Sequence, residues 1–243
     1  MKLQPLPSTY VPTRDTLQRV ATHVLARARD QAVGRFGMAS SPGGLMTPMY
    51  GEDRTVVRIS GAHLIVERGG STEAIVPING SSLSQLAKAA GADLSVEFEA
   101  GHDTPELGDI DAPIDVDPAA TAALGDYYYV GWRAVDDAIA AAPSSANPSR
   151  PQLWPEHFDV GVDLGYGTGE NDRCNYGVSP GDGFHQDPYL YVGPWSSDRP
   201  GDASYWNAPF GAILGYLDLL AADDPVEAGV AFFRRGYDML AAG

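Results

Sequence analysis

The sequence predicts an α+β protein: an antiparallel β-sheet, made of a meander plus C-terminal strands, packed with about five α-helices. Three observations carry this. From Arg54, TVVRISG, HLIVERGG and TEAIVPI are short β-branched runs parted by Ser60–Gly61–Ala62 and Gly69–Gly70–Ser71, the pattern of an antiparallel meander. Between Pro151 and Trp195 a second set of short β patterns alternates with Gly/Pro turns. Elsewhere apolar residues recur at helical spacing. Strands cluster and helices cluster, which favours α+β over a doubly wound sheet.

Taken in order, residues 1–12 are Pro-rich and irregular, and Thr13 opens a helix with Asp15 in its first turn, where the helix dipole favours an anion. Leu17, Val20, Ala21, Val24, Leu25 and Ala28 share one face, and Arg14, Arg19, Arg27 and Arg29 lie off it. A basic amphipathic helix can mark a membrane surface, but this apolar face has no aromatic residue, so it is expected to pack on the core. Gly34 or Gly37 ends it. SSPGG at 40–44 reads as a loop before the meander. Ser82 and Gln85 form a capping box ahead of a helix with Leu83, Leu86, Ala87 and Ala90 on its face, and Gly91 stops it.

Residues 93–117 hold nine Asp/Glu and no Lys or Arg. GDIDAPIDVDP lacks the Gly and the final Glu of a calcium-binding loop, and Pro113 interrupts it. A solvated acidic loop with one strand at Leu94–Phe98 is the expectation. Asp117 and Pro118 supply the N-cap and first position of the longest helix, striped by Leu124, Tyr128, Gly131, Trp132, Val135 and Ile139 and closed by Pro143. The Pro/Ser-rich loop 143–151 is the one place where a single domain of residues 1–243 would sub-divide. After the central stretch, 209–222 reads as a helix with Phe210, Ile213, Leu214, Leu217 and Leu220. Asp224, Pro225 and Glu227 then begin a last helix whose stripe is Val226, Val230, Phe233, Tyr237 and Leu240. No internal repeat is present.

Composition bounds the function. A chain of 243 residues with 44% apolar content builds a sizeable core, and one Cys bars an internal disulfide or a Cys-based zinc cluster. No run approaches the ~18 apolar residues of a membrane span. The N-terminus has Lys2 but no apolar segment of a secretory signal. A soluble cytoplasmic protein is expected. The net charge is −16, and it is uneven: residues 1–88 carry ten Lys/Arg against six Asp/Glu, the remainder six against 26. Such a surface disfavours nucleic acid and anionic membrane as partners. The asymmetry also fits a basic N-terminal layer docked on an acidic remainder. Nothing in the pattern specifies an oligomer.

Several motifs in Pro151–Trp195 invite chemistry. Gly177–Val178–Ser179–Pro180–Gly181 matches the spacing of a nucleophile elbow, but Pro180 has no N–H for an oxyanion hole, so a turn between strands is expected. Gly165–Tyr166–Gly167–Thr168–Gly169 follows a strand like a phosphate loop, but Glu170 stands where a further Gly is needed, so it reads as a hairpin loop. Along WPEHFDVGVDLG, alternation places His157, Asp159, Gly161 and Asp163 on one face and Phe158, Val160, Val162 and Leu164 on the other. With His185, the His157–Asp159 pair would complete a two-His-one-carboxylate divalent-metal site, as in a metal-dependent hydrolase or oxygenase. No other cofactor is evident. Tyr189 and Tyr191 share one side of PYLYVGPW. Trp154, His157, Asp159, Tyr176, His185, Tyr191 and Trp206 are the candidate lining of an aromatic and polar small-molecule pocket within 151–210. An acidic interaction or scaffold protein is the remaining alternative and needs no site.

The segment TRDTLQRVATHVLARARDQAVGRFGMASSPGGLMTP, with QLWPEHFD, NYGVSPGD, PYLYVGPW and WNAPFGA, resembles a set of actinobacterial proteins of unknown function. The resemblance spans most of the chain. It implies an actinobacterial origin and a single-unit architecture, and no reaction, cofactor or partner.

Overall fold

The computed structural model describes residues 2–243 and has an α+β fold with two antiparallel five-stranded sheets. By its internal contacts the chain divides into two compact units. One holds Leu6–Asp126 and Leu153–Phe158; the other holds Tyr127–Gln152 and Asp159–Gly243 together with residues before Leu6. One crossing, at Gln152, falls just past the Pro/Ser-rich loop. Another falls inside the longest helix, where no break in sequence pattern marks it.

In the N-terminal unit the first helical rod comprises α1 (Tyr10–Val20), a π-helical segment (Ala21–Ala26) and α2 (Arg27–Val33), and it ends at Gly34 with φ 65°. The rod packs on the core, as its apolar face predicts. Residues 20–29 are all buried, and so are three arginines that lie off that face, Arg14, Arg27 and Arg29. The sheet that follows runs β1-β2-β3-β4-β5, formed by Ala39–Ser41, Gly44–Met46, Val56–Ser60, His63–Arg68 and Ser71–Pro77. The meander is as expected. SSPGG turned out to be more than a loop: Ser41 pairs with Gly44 across a tight turn that joins the two short strands. Three-residue strands carry too little alternation to register as strands. Helix α3 (Leu83–Ala90) has the expected capping box and stops at Gly91 with φ 79°.

Residues 94–98, expected as a strand, form no strand. The acidic stretch instead lies along the helical rod, and its carboxylates at Asp93, Glu97, Glu99, Asp103 and Glu106 are exposed.

The longest helix, α4 (Pro118–Ala141), starts where Asp117 Oδ1 accepts the Ala119 N–H at 2.8 Å. The second sheet runs β10-β9-β8-β7-β6, from Ala212–Gly215, Tyr189–Pro194, Arg173–Ser179, Asp159–Gly165 and Gln152–Trp154. In the C-terminal unit, helices press on one face of it. Gly131 of α4 sits against Val178, and Gly229 and Gly236 of α6 (Pro225–Ala242) sit against Leu190 and Val192. Residues 212–215, expected to be helical, form β10, which pairs antiparallel with β9 before α5 (Tyr216–Ala221) begins. Asn207 brackets the new strand: its side chain accepts the Ile213 N–H (2.8 Å) and donates to the Ile213 carbonyl (3.1 Å). Helix α6 opens as predicted, with Asp224 Oδ1 accepting the Val226 and Glu227 N–H groups at 3.0 and 3.2 Å.

Candidate functional site

The face of the second sheet turned away from α4 and α6 carries the site. Strand period sets it: Leu190 and Val192 point to the helices, so Tyr189 and Tyr191 point away from them. Tyr191 pairs in register with Gly177 of β8. A Cβ on residue 177 would fall on the Cζ, Cε1 and Oη of Tyr191, so the ring lies across a bare backbone. From there the Tyr191 hydroxyl donates to Asp159 Oδ2 at 2.5 Å, at the start of β7. Asp159 is only 9% exposed.

The loop between β8 and β9 brings the remaining groups. Asp182 Oδ2 accepts from the Tyr189 hydroxyl (2.7 Å), while its Oδ1 accepts the N–H groups of Phe184 and His185 (2.8 and 3.0 Å). One carboxylate thus fixes both the loop and a site tyrosine. His185 Nδ1 donates to the Asp187 carbonyl at 2.8 Å, which assigns the proton of the neutral ring to Nδ1. The ring packs edge-on to Tyr189 with centroids 5.7 Å apart. Phe184 meets Tyr189 (6.2 Å) and Phe210 (5.2 Å), and Phe210 meets Tyr191 (6.4 Å), all edge to face. Phe184 and Phe210 remain 49% and 37% exposed.

Burial first, and then the adjacent carboxylates of Asp159 and Asp182, push the Tyr191 and Tyr189 hydroxyls well above the usual phenol range. They are fixed proton donors, unsuited to act as bases. Ser179 Oγ is occupied by the Gly181 N–H at 3.2 Å. Cys174 lies on the helix face, where burial pushes its thiol up to about 12. Each tyrosine hydroxyl is given to a carboxylate, and aromatic rings pack against the two tyrosines.

Of the seven residues expected to share a pocket, the structure groups Asp159, His185 and Tyr191. Tyr176 lies on the opposite face of the sheet, packed edge-on to Phe233 of α6 at 5.8 Å. Trp206 is in the loop before β10, where its Nε1 donates to the Pro200 carbonyl (2.8 Å) and its ring meets Tyr205. Trp154 and His157 belong to the N-terminal unit, Trp154 against Phe36 and His157 with Nδ1 3.1 Å from Asp103. His157 does not continue the strand of Asp159. Residues 155–158 form a turn in which Phe158 takes φ 55°, and β7 starts only at Asp159. Among the described residues, no three His, Cys, Asp or Glu side chains are grouped to hold a metal ion, so the expected His157–Asp159–His185 triad is not assembled.

Phe184 and Asp182 escaped the sequence reading because they lie in a loop without periodicity, and Phe210 because its spacing read as the face of a helix. The available signal was Gly177: a glycine inside a strand, opposite a tyrosine. No family model, curated protein or solved structure matches the chain. Among the described residues no helix is long and apolar enough to cross a membrane.

Proposed function

We propose that this protein binds a small organic cation, an amine or alkylammonium compound, on the aromatic face of its C-terminal sheet. One observation carries the reading: Asp159 accepts the hydroxyl of Tyr191, which belongs to a cluster whose other rings are Tyr189, Phe184 and Phe210. Aromatic faces attract cations, by ~0.5–2 kcal/mol for each well-placed ring, and a neighbouring carboxylate adds direct charge complementarity. The net charge of −16 favours approach of a cation. The single cysteine fits a site of action in the cytoplasm.

Calorimetric titration with choline and with its uncharged analogue 3,3-dimethylbutan-1-ol tests this. Choline should bind at least about tenfold more tightly, and Asp159→Asn should remove the preference. Equal binding of the two compounds, or a preference that survives in the Asn variant, refutes the proposal.

A further inference from the structure

In the N-terminal unit the acidic segment 93–109 is strapped to the helical rod by four side chains spaced four residues apart. Gln31 donates to the Asp93 carbonyl and accepts the Asp93 N–H, both at 2.8 Å. Arg27 stacks on the Phe98 ring, 5.4 Å from its centroid. His23 Nε2 donates to the Pro105 carbonyl at 2.7 Å. Arg19 donates to the Leu107 carbonyl (2.8 and 2.5 Å) and the Asp109 carbonyl (2.6 Å). The strap number falls as the helix number rises, so the two run antiparallel. Residues four apart overshoot a 3.6-residue turn and drift around an α-helix. The wider π turns of Ala21–Ala26, between the Arg19 and Arg27 rungs, offset that drift and keep the ladder in line.

The rungs take strap backbone or the Phe98 ring, and the strap carboxylates face outward. His23 is the one rung of a residue type whose ordinary pKa lies near neutrality. It is buried, its Nε2 carries the proton given to Pro105, and its Nδ1 faces the Arg27 Nη2 at 3.4 Å. Arg27 itself is 3% exposed, and among the described residues its Nε and Nη1 have no hydrogen-bond partner. A proton on Nδ1 would add a second buried cation beside Arg27 with no acceptor at hand. We propose that the strap is an acid-sensitive latch, released from the rod when His23 is protonated.

The sign follows from the surroundings. Burial, then Arg27 and Arg19, lower the His23 pKa from 6.5, against the opposing hydrogen bonds to the backbone of Pro105 and Glu106. The open strap therefore takes up a proton more readily than the closed one. Closure is at full strength above pH 6.5 and weakens as pH falls from there through the depressed value. Other groups bear on the strap. Asp93 is the charge nearest in effect to Arg27. Glu156 lies against Gly101, and Thr22 Oγ1 donates to Pro155 beside the His23 rung. On the outside, Asp103 lies 3.1 Å from its strap neighbour His102 and from His157, which is outside the strap.

Hydrogen exchange of the full chain, read on peptides covering 93–109 and corrected for intrinsic rates, tests the latch. Moving from about pH 7.5 to about pH 5 should cut protection on the order of tenfold in the wild type. His23→Gln, which keeps a donor for Pro105 and cannot titrate, should hold protection at both. His102→Asn with His157→Asn should leave the drop in place. Equal wild-type protection at the two pH values overturns the proposal, as does a drop that persists in His23→Gln. If that variant proves unprotected throughout, the wild-type imidazole titration followed by NMR decides. Its midpoint must coincide with strap release, and a mismatch refutes the latch.

Discussion

Gly177→Ala probes the aromatic face most directly. The new Cβ would occupy the position of the Tyr191 ring edge and hydroxyl. The ring is the far end of a side chain and can swing away, so the backbone need not break. Ala in a strand recovers ~0.5–1 kcal/mol of glycine's entropic cost. Against that stands the Tyr191–Asp159 hydrogen bond, which a displaced ring gives up and which, being made to a charged group, contributes ~1.5–3 kcal/mol. The net is a destabilisation of about 1–2 kcal/mol, or a fall in Tm of roughly 2–8 °C for a chain of this size. Thermal unfolding followed by near-UV circular dichroism measures it, with choline titration alongside. Gly131→Ala is the matched control, because its Cβ would collide with Val178 on the helix face and leave Tyr191 untouched. That variant should lose stability yet bind normally while folded. If Gly177→Ala kept the wild-type Tm and affinity, Tyr191 would not be anchored over residue 177 and the account of the site would fail.

Two further outcomes follow from the fold. Asp224→Ala removes an N-cap that satisfies two backbone N–H groups of α6, and should cost ~1 kcal/mol in denaturant titration; an unchanged midpoint would show that α6 does not depend on this cap. Cys174 is buried, with its thiol pushed up to about 12, so iodoacetamide at about pH 8 should leave it unmodified until denaturant is added. Prompt labelling of the native protein would place it at the surface instead.

Features written in contiguous residues were legible. Ser82 with Gln85, Asp117 with Pro118 and Asp224 with Pro225 each set a helix start within four residues, and each start stands in the structure. The alternation of Tyr189 and Tyr191 against Leu190 and Val192 fixed which side of β9 faces the helices. By contrast, the residues that complete the site arrive from loops. Phe184 and Phe210 are 26 residues apart in sequence, and it is the Asp182 hydrogen bonds and the β9–β10 pairing that surround the tyrosines with them. Tyr176 and Tyr191 look equivalent as aromatic residues in strands, yet β8–β9 register pairs Tyr176 with Val192, on the helix face. Register is a property of two strands together, and neither strand specifies it alone.

The same reasoning explains two of the elements that were misassigned. FGAILGYLDLL has helical spacing throughout, but its first part lies beside the open edge of β9, and strand pairing overrides periodicity there. Leu94, Val96 and Phe98 alternate like a strand, but a strand needs an edge to pair with. Their segment meets a helix instead, and Gln31, Arg27, His23 and Arg19 supply the contacts that a neighbouring strand would have given. Those four residues were visible at i+4 spacing. Arg19 and Arg27 were read only as lying off the apolar face, and His23 and Gln31 carried no pattern of their own. The uneven charge of the chain held the missing clue: a basic helix in an acidic protein is where a segment rich in carboxylates and poor in cations can be held close. It is held by its carbonyls, which leaves its carboxylates in water and makes the imidazole at position 23 the member whose charge can change.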